Sequence, residues 1–149
     1  MNVAELMTSQ TQTCRIDENL GTVAKIMWEH DCGCVPLVDS DGRIAGIVTD
    51  RDICMAACQR DEPLSKIPAT FAAARDVVTL LPDDTIERAE ALMREHEIRR
   101  LPVVDESRRP MGILSINDIV RAVHIQHRPD GLTPDSVVLT LAALGEIRG

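Results

Sequence analysis

Shifting this chain by 66 residues lays its second half on its first without a gap, and no other feature limits the possible folds so strongly. Thr13 falls on Thr79, Asp17 on Asp83, Met27 on Met93, and Glu29-His30 on Glu95-His96. Pro36 then meets Pro102, Val38-Asp39 meets Val104-Asp105, and Arg43 meets Arg109. Gly46-Ile47 meets Gly112-Ile113, and Asp52-Ile53 meets Asp118-Ile119. A duplicated unit of this size points to two copies of one supersecondary motif that share a core.

The periodicity of each copy gives its elements. Leu20, Val23, Ala24 and Met27 follow the i, i+3, i+4, i+7 spacing of one helical face, and Ile86, Ala89 and Met93 repeat most of it. Two apolar runs rich in β-branched residues follow, at 35–38 and 44–48 in the first copy and at 101–104 and 111–114 in the second. Polar turns at 39–42 and 105–108 separate them. Thr49 and Ser115 stand where a further helix begins. Each copy is thus predicted as strand, helix, strand, strand, helix, an α+β arrangement. Neither copy is large enough to bury its own sheet, so the two βαββα repeats are expected to pack sheet to sheet about a pseudo-twofold axis.

The repeats are placed at 1–60 and 61–127, with a linker and a short C-terminal helix over 128–149. In that last segment Thr133 is the expected N-cap and Pro134 the first helical residue. Residues 137–144 are apolar nearly all round, so this helix needs a partner surface. The Ala-rich stretch 69–75 reads as an insertion in the second copy, with no counterpart after Met7 and no evident role.

Composition narrows the function. The 24 acidic residues against 16 basic ones give a net charge of −8, which opposes phosphate-backbone attraction, so no nucleic-acid partner is expected. No apolar run nears the ~20 residues of a membrane span, and Met1 to Gln10 lacks a signal-peptide layout, so a cytoplasmic location is expected. Five cysteines, Cys14, Cys32, Cys34, Cys54 and Cys58, fit no strong zinc spacing and read as small, buried, reduced thiols. Catalytic motifs are missing, and no enzymatic activity or catalytic residue is expected.

The chemically suggestive stretch is Gly46-Ile47-Val48-Thr49-Asp50-Arg51-Asp52, echoed by Gly112-Ile113-Leu114-Ser115-Ile116-Asn117-Asp118. A hydroxyl followed three residues later by an acid is close to a helix capping box. The same groups suit a ligand, because free N–H groups at a helix start attract phosphate and an ionised carboxylate can accept from two ribose hydroxyls. Capping favours the longer Glu or Gln, so Asp in both copies tilts the balance from a cap towards a ligand site, although the two roles can coexist.

From about Val3 to His127 the chain resembles a tandem CBS module. The likeness is carried by GIVTDRDI at 46–53 and GILSINDI at 112–119, with CVPLVD at 34–39, RLPVVD at 100–105, and the pairs Asp17-Glu18 and Asp83-Asp84. It implies a non-catalytic regulatory module that binds AMP, ADP, ATP or S-adenosylmethionine in composite clefts, each drawing on both repeats. One implied site joins Thr49 and Asp52 to Val78, Thr79, Ile98, Arg99, Arg100 and Pro102. The other joins Ser115 and Asp118 to Gln12, Thr13, Cys32, Cys34, Val35 and Pro36. Arg99 and Arg100 give the first site two cations where the second has Gly33 and Cys34, unless that arginine pair is a solvated strand end facing Glu95 or Glu97. The resemblance further implies a homodimer and output through an unidentified effector protein, with an adenine nucleotide as regulatory ligand and no resident cofactor or metal. A dimerising scaffold with empty clefts is the alternative, and a thiol- or metal-based stress sensor a weaker one.

Overall fold

Local chemistry starts and stops the helices that the periodicity predicts. The structure, a computed structural model, describes residues 1–125 and 133–146. Its elements in chain order are α1 (Val3–Leu6), β1 (Thr8–Ser9), β2 (Cys14–Arg15), α2 (Leu20–His30), β3 (Cys34–Val38), β4 (Ile44–Thr49) and α3 (Asp50–Arg60). After a short 3-10 turn at Leu64–Lys66 come α4 (Ala69–Ala72), α5 (Ile86–His96), β5 (Arg100–Val104), β6 (Pro110–Ser115), α6 (Ile116–Ile125) and α7 (Pro134–Glu146). Asn19 caps α2 by accepting from the Thr22 N–H at 3.0 Å, and Thr85 caps α5 by accepting from Arg88 at 3.2 Å. Asp31 and Glu97 end these helices in left-handed backbone conformation, at φ 49° and 58°.

The chain divides into two compact units that differ from its sequence halves. One gathers Thr11–Val77 with Ser107–Pro110; the other gathers Met1–Gln10, Val78–Glu106 and the described residues from Met111 onward. In the first unit the sheet order is β2-β3-β4, with β2 parallel and β4 antiparallel to β3. Leu20, Val23 and Met27 of α2 pack there with Val35, Leu37 and Val48. In the second unit the order is β1-β6-β5, and Ile86, Ala89 and Met93 of α5 pack with Leu101, Val103 and Leu114. Each sheet has a helix-covered face, which is what the paired apolar runs require.

The stretch 69–75 is not an insertion. It matches 3–9 at the same 66-residue offset, and the structure uses the two stretches in the same way, although 8–9 form a two-residue strand and Ala74 a single bridge. In one unit the Val3 N–H donates to the Asp84 carbonyl at 2.9 Å, and Thr8 pairs with Ile113. In the other, the Ala69 N–H donates to the Glu18 carbonyl at 2.9 Å, and Ala74 bridges Ile47 through two bonds of 3.0 Å. Each lead-in segment therefore completes the sheet of the repeat it does not precede. Side chains there have diverged while the backbone bonds that hold them have not.

That crossing accounts for the motif glycines. A Cβ on Gly112 would stand 2.7 Å from the Thr8 carbonyl oxygen and from Met7 Sδ, and one on Gly46 would stand 3.3 Å from Ala73 Cβ and the Ala74 oxygen. At Gly112 the neighbouring strand β1 passes directly over the backbone and leaves no room for a side chain, whereas at Gly46 the bridging segment leaves a tight contact that a small shift relieves.

The last helix begins as expected, with Thr133 Oγ1 accepting from the Ser136 N–H at 3.1 Å and Pro134 first in α7. It lies against α5 and α6. Val137, Thr140 and Leu144 are buried, whereas Val138, Leu139 and Leu141 are exposed. The contact is thus a single face.

Candidate ligand-binding site

Both helix starts in the repeated motif carry the same reciprocal cap. In the first unit Asp52 Oδ2 accepts from the Thr49 N–H at 2.8 Å while Thr49 Oγ1 accepts from the Asp52 N–H at 3.2 Å. In the second, Asp118 Oδ2 accepts from the Ser115 N–H at 2.8 Å and Ser115 Oγ from the Asp118 N–H at 3.3 Å. Aspartate is thus long enough to close a capping box here. Each carboxylate makes its cap through Oδ2, and no bond of Oδ1 appears among the described residues. The caps differ in one proton: Ser115 Oγ also donates to Asp118 Oδ2 at 2.6 Å, whereas the Thr49 hydroxyl acts as acceptor in its cap.

The strands bring further expected residues to these helix starts, unit by unit. Cys34 pairs with Thr49 across β3 and β4, and the Asp50 N–H donates to the Gly33 carbonyl at 3.1 Å. Thr13, exposed, immediately precedes Cys14, which pairs with Leu37 of β3. Cys34, Val35 and Pro36 are buried, Cys32 is partly exposed, and Gln12 is exposed. In the other unit the Ile116 N–H donates to the Arg99 carbonyl at 2.9 Å, which ties the start of α6 to the start of β5. The Leu80 N–H donates to the buried Pro102 carbonyl at 2.9 Å, which sets Val78 and Thr79 beside the same strand. Ile98 and Arg100 are partly exposed. Each unit therefore holds the helix-cap half of one implied site and the strand half of the other.

Arg99 has a partner that its sequence neighbourhood does not suggest. It turns to neither Glu95 nor Glu97, and its Nη2 donates to the Leu144 carbonyl at 3.2 Å, in the last turn of α7. Alongside, Arg94 Nη1 donates to Thr140 Oγ1 at 2.7 Å, and Thr140 Oγ1 lies 3.3 Å from Glu90 Oε1. Glu90 is almost fully buried; burial pushes its carboxyl pKa up, against Ser136, Thr140 and Arg94, which pull it down. Glu90 occupies a position in the α5 stripe where the first repeat has Ala24, a polar residue in an apolar register that signals a partner.

The cysteines form no disulfide; Cys14 and Cys34 are buried as expected, but Cys54 and Cys58 are not, because they lie on the exposed side of α3. Among the described residues no group of three or more His, Cys, Asp or Glu side chains could hold a metal ion. Nor is any described helix long and apolar enough to cross a membrane.

Two βαββα units with duplicated, reciprocally capped helix starts define a tandem-repeat module. The CBS domain family matches residues 3–58 and 70–125, and the chain belongs to that family. It is similar to the CBS domain-containing protein YhcV of Bacillus subtilis, at 30% identity over 79% of this chain and 82% of that protein. It is also similar to a homoserine O-acetyltransferase of Methanococcoides burtonii, at 38% identity over 82% of this chain. The chain spans only 24% of that protein's length, so most of the acetyltransferase lies outside the match. Among solved structures, the CBS domain pair of protein MJ0100, in complex with 5′-methylthioadenosine and S-adenosylmethionine, shares 28% identity with a TM-score of 0.76. That likeness covers 83% of this chain and 99% of the pair. Hypoxic Response Protein I, with two coordinated zinc ions, shares 29% identity with a TM-score of 0.74, covering 87% of this chain and all of that one.

Proposed function

We propose that this chain is a regulatory module that binds an adenosyl compound or adenine nucleotide and passes its occupancy to a partner protein. The observation that carries this reading is the duplicated cap, in which a carboxylate is held rigid by one oxygen and keeps the other to accept from ribose hydroxyls. The ligated CBS pair of MJ0100 supports the ligand class. The tighter site uses Thr49 and Asp52 with Val78, Thr79, Ile98, Arg100 and Pro102, since the Thr49 hydroxyl is less committed than that of Ser115 and Arg100 supplies a cation. Ser115 and Asp118 with Thr13, Cys34, Val35 and Pro36 form the weaker one.

Titration calorimetry and thermal melting with 5′-methylthioadenosine, S-adenosylmethionine, AMP and ATP test the proposal. A ligand at a hundredfold excess over its Kd adds about 2.7 kcal/mol to stability. Asp52→Ala is expected to weaken the tight event by about ten- to a hundredfold, and Arg100→Ala to do so for AMP and ATP, the worth of a charge-assisted hydrogen bond. Asp118→Ala leaves that event nearly intact. If millimolar amounts of all four compounds leave the melting temperature unmoved, the sensing role is wrong and the module is a scaffold.

A second reading has its own observation. Val138, Leu139 and Leu141 present an apolar strip on the outer side of α7, suited to self-association into a homodimer. Dimerisation and ligand binding are compatible.

A further inference from the structure

The reading of the cysteines as small buried thiols fails at Cys54 and Cys58, and these two stand together. Both are exposed on α3 and lie four residues apart, so they share one helix face with their Cβ atoms about 5–6 Å from each other. Met55, also exposed, comes three residues before Cys58 and flanks it on the same side. Ile53 and Ala56 are buried and hold the other side of α3 in the core, so the register of the helix turns all three sulfurs outward. Asp50 and Arg51, exposed one turn earlier, bring one charge of each sign, which leaves the sulfurs to decide what this face attracts.

We propose that Cys54 and Cys58, with Met55 as a third and weaker donor, form a surface site for Cu(I) within this single helix. Thiolate and thioether are soft donors that select Cu(I), whereas Zn(II) in a structural site takes four ligands. Among the described residues no third His, Cys, Asp or Glu side chain joins the two cysteines in a metal-holding group, so a cation satisfied by two or three sulfurs is the one this face suits. Each thiol releases its proton to solvent as it coordinates, and the copper keeps its oxidation state. The 66-residue offset puts Val120, Arg121 and His124 at the matching positions of the other repeat, so the repeat itself does not require the cluster. The site lies wholly in α3 and is independent of the ligand proposed above.

The test titrates the full chain, reduced and free of oxygen, against the coloured Cu(I) complex of bicinchoninate. The native chain is expected to withdraw one Cu(I) per chain and to gain an ultraviolet thiolate-to-copper absorption. Cys54→Ser and Cys58→Ser are each expected to lose that uptake, and Cys32→Ser to keep it. Met55→Leu is expected to keep the stoichiometry and to weaken binding by about tenfold. Cys58→Ser combined with Gln59→Cys preserves the number of thiols but sets them five residues apart, about 140° round the helix, and is expected to lose the site. Circular dichroism melts check the fold of each variant. Should a serine variant melt early, alkylation of the native chain with iodoacetamide, which reaches exposed thiols ahead of buried ones, is expected to abolish uptake instead.

The proposal is overturned if the native chain withdraws no copper, if either single serine variant binds as the native chain does, or if the displaced thiol pair binds equally well. It is also overturned if Zn(II) is taken up by the same two cysteines at the same stoichiometry. Uptake of half an equivalent with a doubled mass by light scattering would place the copper between two chains and overturn a site within one helix.

Discussion

Replacing Gly112 by alanine tests the exchange of lead-in segments directly. The new Cβ would stand 2.7 Å from the Thr8 carbonyl oxygen, a backbone atom that can move only with β1. At Gly46 the nearest atoms are 3.3 Å away, a distance that a shift of a few tenths of an ångström relieves. Overpacking of this kind costs about 1–3 kcal/mol. Alanine in place of glycine returns roughly 0.4–1 kcal/mol by narrowing the unfolded ensemble. The net expectation is a loss of about 1–2 kcal/mol for Gly112→Ala and a change near zero for Gly46→Ala. For a chain of this size that lowers the melting temperature by roughly 2–8 °C in the first case. Circular dichroism melts of the two variants beside the native chain decide the matter. Equal stability of all three, or a larger loss at Gly46, would mean that β1 does not cross over Gly112 as described.

Two further outcomes follow from the packing of α7. Burial raises the Glu90 carboxyl pKa, with Glu87 pushing the same way, so the folded state favours its neutral form. The stability this group contributes is therefore complete below its ordinary pKa and is lost as pH rises through the folded value. Glu90→Gln, which keeps a polar group beside Thr140 and Arg94, is expected to melt with the native chain in acid and above it at about pH 7.5, as a melting series across pH would show. Leu139→Glu, placed in the exposed strip of α7, is expected to convert a dimer into a monomer by light scattering. A native chain that is monomeric at tens of micromolar would remove the dimer reading.

The sequence carried those parts of the fold that are both periodic and duplicated. The stripe Leu20, Val23, Met27 and its copy Ile86, Ala89, Met93 face their cores as the spacing requires. The start of α7 at Thr133-Pro134 was equally legible, because cap chemistry is local. What escaped is non-local. Val3–Leu6 and Ala69–Ala72 are too short to show a period, and their partners are reached by backbone bonds that accept any side chain. The stretch 69–75 shares no residue with 3–9, and only the structure shows the two doing one job. The bond from Arg99 to Leu144 spans 45 residues, and nothing near Arg99 in the sequence announces it. Glu90 did leave a trace as an acid on an apolar stripe, but its meaning depended on where Thr140 would lie.

The recurrence of aspartate where capping alone would favour glutamate has a physical explanation in the geometry of the two caps. A short side chain that bonds back to the Thr49 or Ser115 N–H through Oδ2 is fixed before any ligand arrives, so binding a ribose costs it no rotamer freedom. Its cap supports the fold whether or not a ligand is present, and the second oxygen supports the ligand. It follows that a substitution at either aspartate does two things at once. Losing a cap costs about 0.5–2 kcal/mol of stability, so a fall in affinity at Asp52→Ala could by itself reflect a loosened helix start. Asp118→Ala separates the two effects, because it removes a matching cap from the other repeat. If both variants lose similar stability and only Asp52→Ala loses the tight binding event, the affinity belongs to the carboxylate and not to the cap.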